Sequence, residues 1–85
     1  MAELVMDPWD RRVMDPGMFE RLKTEMMEDY RYAVDRLQHN DREAAQYLYG
    51  HGEACKALLE SMFEFNPEQE IDEVDGLLAL LEEEL

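Results

Sequence analysis

A hydrophobic stripe with helical spacing runs through the first half of the chain. It begins after Asp15-Pro16, a pair suited to a helix start because Asp caps free amide groups and Pro fits the first helical position. Apolar residues then recur every three or four positions, and the opposite face carries charges of both signs. The stripe consists of Phe19, Leu22, Met26, Tyr30, Ala33 and Leu37. This pattern predicts a helix over residues 16–38.

A second stripe follows the short polar turn His39-Asn40-Asp41. Asn40 precedes Glu43 by three residues, which is the spacing of a capping box, so Asn40 is the predicted cap of a helix over residues 41–65. The apolar face of this helix contains Ala44, Leu48, Cys55, Leu59 and Met62. A short connection makes two such helices antiparallel neighbours. The sequence therefore predicts an all-α fold built on a two-helix hairpin.

Two glycines, Gly50 and Gly52, interrupt the second predicted helix. Each glycine costs about 1 kcal/mol relative to alanine inside a helix, so we expect something to compensate for them. Three roles are open. Gly52 allows a close helix contact in which Tyr30 or Met26 packs over it, or the helix kinks or breaks at 50–52, or the backbone of a partner approaches there.

The acidic segment 66–85 also has helical periodicity. Asn66 as the cap and Pro67 at the first position start a helix, and the alternative is a division at Asp75-Gly76 with a shorter helix beginning at Gly76. Its apolar residues are Ile71, Val74, Leu77, Leu78, Leu80, Leu81 and Leu85. Because the apolar side chains exceed what a two-helix core can bury, we predict that these residues contact a partner. They could instead pack on the chain's own hairpin, or on the same helix of another copy.

Residues 1–15 are predicted to form an N-terminal arm. Met6-Asp7-Pro8 recurs as Met14-Asp15-Pro16, and the arm carries the only tryptophan, Trp9. An indole on a terminal arm either packs on its own domain or anchors in a neighbour, so Trp9 joins the candidate partner contacts. The predicted organisation is an arm over 1–15, a hairpin over 16–65 and an acidic amphipathic helix over 66–85.

The net charge of −14 is unevenly distributed. Lys56 is the last basic residue, and ten of the 22 acidic residues follow it. Such a surface repels nucleic acid and anionic lipid, so we expect no direct nucleic-acid binding and no membrane binding. The acidic segment suits a basic protein surface, or it keeps the chain soluble. The single cysteine, Cys55, excludes an internal disulfide and indicates a reducing compartment, so we expect a cytoplasmic protein.

His51 and Cys55 have metal-ligand chemistry at helical spacing. At i and i+4 they would share one helix face, but a structural zinc site takes four ligands. The others would have to be Glu or Asp, or come from another subunit. A Cys–His catalytic pair lacks an evident third group to orient it, and the glycines do not match a phosphate-binding loop. We therefore predict a non-enzymatic protein with no catalytic, cofactor-binding or metal-binding residues.

Two parts of the predicted hairpin resemble a known class of proteins. The run Asp15-Pro16-Gly17-Met18-Phe19-Glu20-Arg21-Leu22-Lys23, and later Tyr47-Leu48-Tyr49-Gly50 leading into Ala57-Leu58-Leu59, are similar to short helical-hairpin proteins of tailed bacteriophages. The resemblance covers roughly residues 15–65 and carries over no functional residues. It implies a viral origin and a role in the virion or against the host.

Together these features predict a protein–protein interaction or assembly protein, such as a small virion or assembly component, that self-associates into a homo-oligomer or binds a protein partner. The alternative is an acidic inhibitor that occupies a basic, nucleic-acid-binding surface of a host protein. The two differ in salt dependence, because binding between opposite charges weakens steeply as salt rises. The virion or the host cytoplasm is the expected location.

Overall fold

The computed structural model describes residues 16–85, which form four helices. They are α1 (Pro16–Gln38), α2 (Arg42–Phe63), α3 (Pro67–Glu70) and α4 (Asp72–Glu84). Helices α1 and α2 form an antiparallel hairpin, and α4 returns along α1. The all-α hairpin with a C-terminal helix is confirmed. The predicted arm and Trp9 lie outside the described residues.

The turn of the hairpin is capped one residue later than predicted. The Asp41 side chain, not that of Asn40, accepts a hydrogen bond from the Ala44 amide at 3.2 Å and caps α2. Asn40 instead has a φ of 61°, in the left-handed region. Asparagine enters that region more readily than most residues with a Cβ, which explains its place at the point where the chain reverses.

Helix α2 ends at Phe63, two residues before the predicted end. Glu64 is left-handed with a φ of 53°, and its backbone N–H donates to the Leu59 carbonyl. The flanking rings of Phe63 and Phe65 both pack on Phe19, with centroid distances of 5.2 and 5.1 Å. This aromatic cluster holds the connection between α2 and α3 against the start of α1.

The C-terminal segment begins as predicted and then divides at an unexpected residue. The Asn66 side chain accepts from the Glu68 amide at 3.1 Å, and Pro67 occupies the first turn. Ile71 is extended, with φ −124° and ψ 108°, and it separates α3 from α4. A single helix and a division at Asp75-Gly76 are therefore both wrong, since α4 runs through Gly76. The extended residue lets the chain change direction and lie along α1.

One hydrophobic core joins α1, α2 and α4. Its buried members are Met26, Tyr30, Ala33, Cys55, Leu59, Val74, Leu78 and Leu81. The partner contact predicted for Val74, Leu78 and Leu81 is therefore corrected, because α4 folds back and buries these side chains on its own hairpin. Burying each such side chain contributes about 1.5–3 kcal/mol, and packing within one chain avoids the entropic cost of association.

Candidate interaction face

A close contact at Gly52 sets the spacing of the two long helices. A Cβ built on Gly52 would lie 2.7 Å from Tyr30 Cε1 and 3.3 Å from Asp29 Cβ, and the first distance is too short for two carbon atoms. Helix α2 continues without a break through 50–52. The close-contact interpretation of Gly52 is confirmed, and a helix break is wrong. Gly50 is exposed with nothing within 4 Å of an added Cβ, so a close contact at Gly50 is also wrong.

Tyr30 holds this contact from the α1 side. Its ring is fully buried, and its hydroxyl donates a 2.7 Å hydrogen bond to Glu53 Oε2. Burial, and then the hydrogen bond to Glu53, raise the pKa of Tyr30, so its hydroxyl stays protonated and keeps donating. The ring is therefore anchored at its far end and cannot move away from Gly52 without losing a hydrogen bond.

Helices α3 and α4 cover one side of the hairpin. Arg31 of α1 donates two 2.7 Å bonds to Glu73, and Lys56 of α2 donates a 3.1 Å bond to Glu68, so Arg31 and Lys56 mark the covered side. With 3.6 residues per turn, one row of each long helix lies on the opposite side. We call these two rows the back face. In α1 the row is Met18, Leu22, Glu25, Asp29, Tyr32 and Arg36, and in α2 it is Ala44, Tyr47, His51, Cys55, Leu58 and Met62.

Both ends of the back face are apolar. The contact between Asp29 and His51 fixes the register, so in antiparallel helices Leu58 lies level with Leu22, and Tyr47 lies level with Tyr32. Tyr47 is 74% exposed, Tyr32 57% and Leu58 42%. Three of the four large hydrophobic side chains that are exposed within residues 17–85 thus belong to one face. These two apolar patches, one at each end of the back face, are the candidate contact surface, since exposed apolar patches mark interaction sites.

The centre of the back face is polar. His51 Nδ1 lies 2.5 Å from Asp29 Oδ2, and one ligand atom each of Glu25, His51 and Cys55 lie within 4.8 Å of one another. The hydrogen bond that His51 donates to the Asp29 carboxylate raises the pKa of His51, which favours the imidazolium. Burial raises the pKa of the Cys55 thiol, and so do the nearby acids, so the thiol is a poor nucleophile at neutral pH.

The other predicted contact residues lie on the covered side, around α4. Ile71, Leu77 and Leu85 are half-buried against the core, while Leu80 is 43% exposed beside Val34 and Leu37. Sequence reasoning missed Tyr32, Tyr47 and Leu58 as surface candidates. These residues belong to helical rows in which positions recur every three or four residues, and this spacing was a signal. Only the placement of α4 tells which row is left uncovered.

The covered side is strongly acidic. The acidic residues of α3 and α4 are all exposed, namely Glu68, Glu70, Asp72, Glu73, Asp75, Glu82, Glu83 and Glu84. Two of them are paired with bases, Glu68 with Lys56 and Glu73 with Arg31. The back face, by contrast, carries two acidic residues, Glu25 and Asp29, and two basic ones, Arg36 and His51. The molecule therefore separates a charged side from a nearly neutral one.

None of the helices within residues 16–85 is long and apolar enough to cross a membrane. Comparison of the chain with protein-family models, with curated proteins and with solved structures gives no match.

Proposed function

We propose that this chain is a non-enzymatic assembly protein that self-associates through the back face. The observation that carries the proposal is the exposure of Tyr32, Tyr47 and Leu58 together on the side that α4 leaves uncovered. Tyrosine supplies large contact area at a small entropic cost and is enriched at protein interfaces. The attribution to a bacteriophage virion rests on the sequence resemblance alone and stays a prediction.

The size of the back face suits a stable interface. A helix of 22 residues is about 33 Å long, and two adjacent helices present a surface about 20 Å wide, which gives about 600–700 Å² per copy. Standard protein interfaces bury about 800 Å² per partner, with a lower limit near 600 Å². Two hairpins stacked back to back would form a four-helix layer with α4 on the outside of each copy.

Charge placement favours a second copy as the occupant. A chain of net charge −14 repels itself, yet the acids of α3 and α4 lie on the covered side, away from the back face. Stacking through the back face keeps these acids as far apart as the molecule allows. A strongly basic partner would instead be attracted to the covered side.

The test is the solution mass of the full-length protein, measured by sedimentation equilibrium at several concentrations in moderate salt. We expect a defined oligomer for the wild type and a monomer for Leu58→Glu, because a buried carboxylate without a partner is strongly unfavourable. Leu80→Glu is a matched control, since Leu80 is exposed to the same extent but lies on α4. It should leave the oligomer intact.

Two results would contradict this assignment. A wild-type monomer at every concentration would mean that the back face is covered by another segment of the chain or awaits a foreign partner. Dissociation by Leu80→Glu, but not by Leu58→Glu, would move the interface to α4. Deletion of residues 67–85 is not a suitable test, because it would remove Val74, Leu78 and Leu81 from the core.

The second candidate function is the acidic inhibitor, and the exposed acids of α3 and α4 favour it. It predicts that the protein releases duplex DNA from a basic, histone-like DNA-binding protein at low salt, and that this effect disappears as salt rises. Neutralising Glu82, Glu83 and Glu84 to Gln should weaken the competition, whereas Leu58→Glu should leave it unchanged. Competition that is insensitive to salt would count against this function.

A further inference from the structure

Two pairs of metal-ligating side chains face each other across the middle of the back face. Glu25 and Asp29 lie four residues apart on α1, and His51 and Cys55 lie four residues apart on α2. Residues at i and i+4 project from the same side of a helix. Ligand atoms of Glu25, His51 and Cys55 already lie within 4.8 Å of one another. Helix α1 thus supplies the carboxylates that the His51 and Cys55 pair of α2 lacks on its own.

The close contact at Gly52 makes this arrangement possible. Gly52 lies between His51 and Cys55 in the sequence, and its missing Cβ admits the Tyr30 ring and brings Asp29 Cβ to 3.3 Å from the position of an added Cβ. A larger residue would push α1 away from α2 at the level of the four side chains. The helix spacing that the core requires is therefore also the spacing that holds the cluster together.

We propose that Glu25, His51 and Cys55 form a Zn²⁺ site in which Asp29 orients the imidazole. Thiolate, imidazole and carboxylate are all zinc ligands, at about 2.0–2.3 Å from the metal, so tetrahedral ligand atoms lie about 3.3–3.8 Å apart. The cluster needs to contract by about 1 Å, which is a small movement for a long Glu25 side chain and for a His51 side chain that is half exposed.

The hydrogen bond between His51 and Asp29 fits the outer shell of a metal site. A histidine that binds a metal through one ring nitrogen usually donates the N–H of the other to an acceptor such as a carboxylate. This hydrogen bond fixes the ring and its tautomer. Since Asp29 accepts from Nδ1, the lone pair left for a metal is on Nε2. Asp29 is thus a positioning residue, and a water molecule or a group from a second copy can complete four-coordination.

The chemistry of the cluster favours a borderline-soft divalent cation over a hard one. Cys55 supplies sulfur, a ligand that Mg²⁺ and Ca²⁺ avoid and Zn²⁺ or Co²⁺ accept. Binding forms bonds from the metal to sulfur, nitrogen and oxygen. The Cys55 thiol proton passes to the buffer, as does a proton of His51 where that residue is an imidazolium, so the charges balance. No change in oxidation state is involved.

The experiment is titration of the reduced, chelator-treated, full-length protein with Co²⁺ and then with Zn²⁺. We expect one Co²⁺ per chain, a thiolate-to-cobalt charge-transfer band in the near ultraviolet, and loss of that band on addition of one equivalent of Zn²⁺. His51→Gln and Cys55→Ala should abolish stoichiometric binding, and Glu25→Gln should weaken it. Asp29→Asn should weaken binding by about 10- to 100-fold and keep the charge-transfer band.

The controls separate a built site from general attraction to an acidic protein. His39→Ala alters the other histidine, which lies in the exposed turn, and should leave binding unchanged. His51 is exposed, so His51→Gln should fold normally even if Cys55→Ala does not, and circular dichroism checks both. Absence of the charge-transfer band, equal affinity for Mg²⁺, or undiminished binding by His51→Gln would overturn the proposal. Repeating the titration with Leu58→Glu tests metal binding independently of self-association.

Discussion

Replacing Gly52 by Ala tests the contact on which the packing of the hairpin depends. At an uncrowded helix position the change from glycine to alanine stabilises by about 1 kcal/mol, because alanine has the better helix propensity. At Gly52 the new Cβ would lie 2.7 and 2.9 Å from two carbons of the Tyr30 ring. Such overpacking costs about 1–3 kcal/mol.

The sign of the net effect depends on whether Tyr30 can move. Its ring is fully buried, and its hydroxyl is bound to Glu53, so a shift of the ring would also weaken a hydrogen bond whose net value is about 1 kcal/mol. We therefore expect Gly52→Ala to be less stable than the wild type by about 1–2 kcal/mol. In a domain of this size that corresponds to a decrease in Tm of about 5–15 °C.

Gly50→Ala is the matched control, two residues away in the same helix. Nothing lies within 4 Å of its added Cβ, so it should gain up to about 1 kcal/mol. Urea unfolding followed by circular dichroism measures both variants, at one protein concentration because self-association would add to apparent stability. Tyr30→Leu combined with Gly52→Ala should lose less stability than the two single changes together, since leucine leaves room for the methyl group. If Gly52→Ala is as stable as Gly50→Ala, the close contact at Gly52 does not constrain the packing of the two helices.

Three further changes test other contacts of the fold. Tyr30→Phe leaves the Glu53 carboxylate without its donor and should cost about 1 kcal/mol in urea unfolding, with no change in helix content. Asp41→Ala removes the cap of α2 and should also cost about 1 kcal/mol by thermal unfolding; an unchanged Tm would contradict its capping role. Arg31 holds the pKa of the Glu73 carboxyl below its usual value through a hydrogen bond, so the pair stabilises the fold above the unfolded-state pKa of Glu73. That contribution is lost as pH falls through the lower folded-state pKa, and in Arg31→Gln a carboxyl NMR titration should find the pKa of Glu73 returned to its usual range.

Local sequence signals were sufficient for the main elements of the fold. Periodic apolar positions define α1 and α2, and Asn66-Pro67 marks the start of α3 correctly because capping depends on adjacent residues. The helix boundaries that were predicted wrongly depend on backbone conformations that the sequence indicates only weakly. Glu64 adopts the left-handed conformation although it is not a glycine, the residue that usually signals it. Ile71 is extended because the chain has to turn there for α4 to pack on α1.

The back face could not be predicted because it depends on how three helices are arranged. An apolar residue in a helical row can face the core or the solvent, and in α4 the leucines that resembled a binding surface are the ones that complete the core. The polar cluster illustrates the same limit. The spacing of His51 and Cys55 is visible in the sequence, but Glu25 meets them only through the register of an antiparallel hairpin.

Salt dependence distinguishes the two proposed functions, because the fold places its charges on one side. In a back-to-back pair the layers would be α4, hairpin, hairpin and α4, so three interlayer spacings of about 10 Å put the two α4 axes about 30 Å apart. The Debye length at physiological ionic strength is about 8 Å, so repulsion between the acidic sides is already screened there. As the salt concentration rises above the physiological value, self-association should therefore become only slightly stronger. Binding of Glu82, Glu83 and Glu84 to a basic surface should instead weaken continuously over the same range. An oligomer that dissociates at high salt would place the acidic side, and not the back face, in the interface.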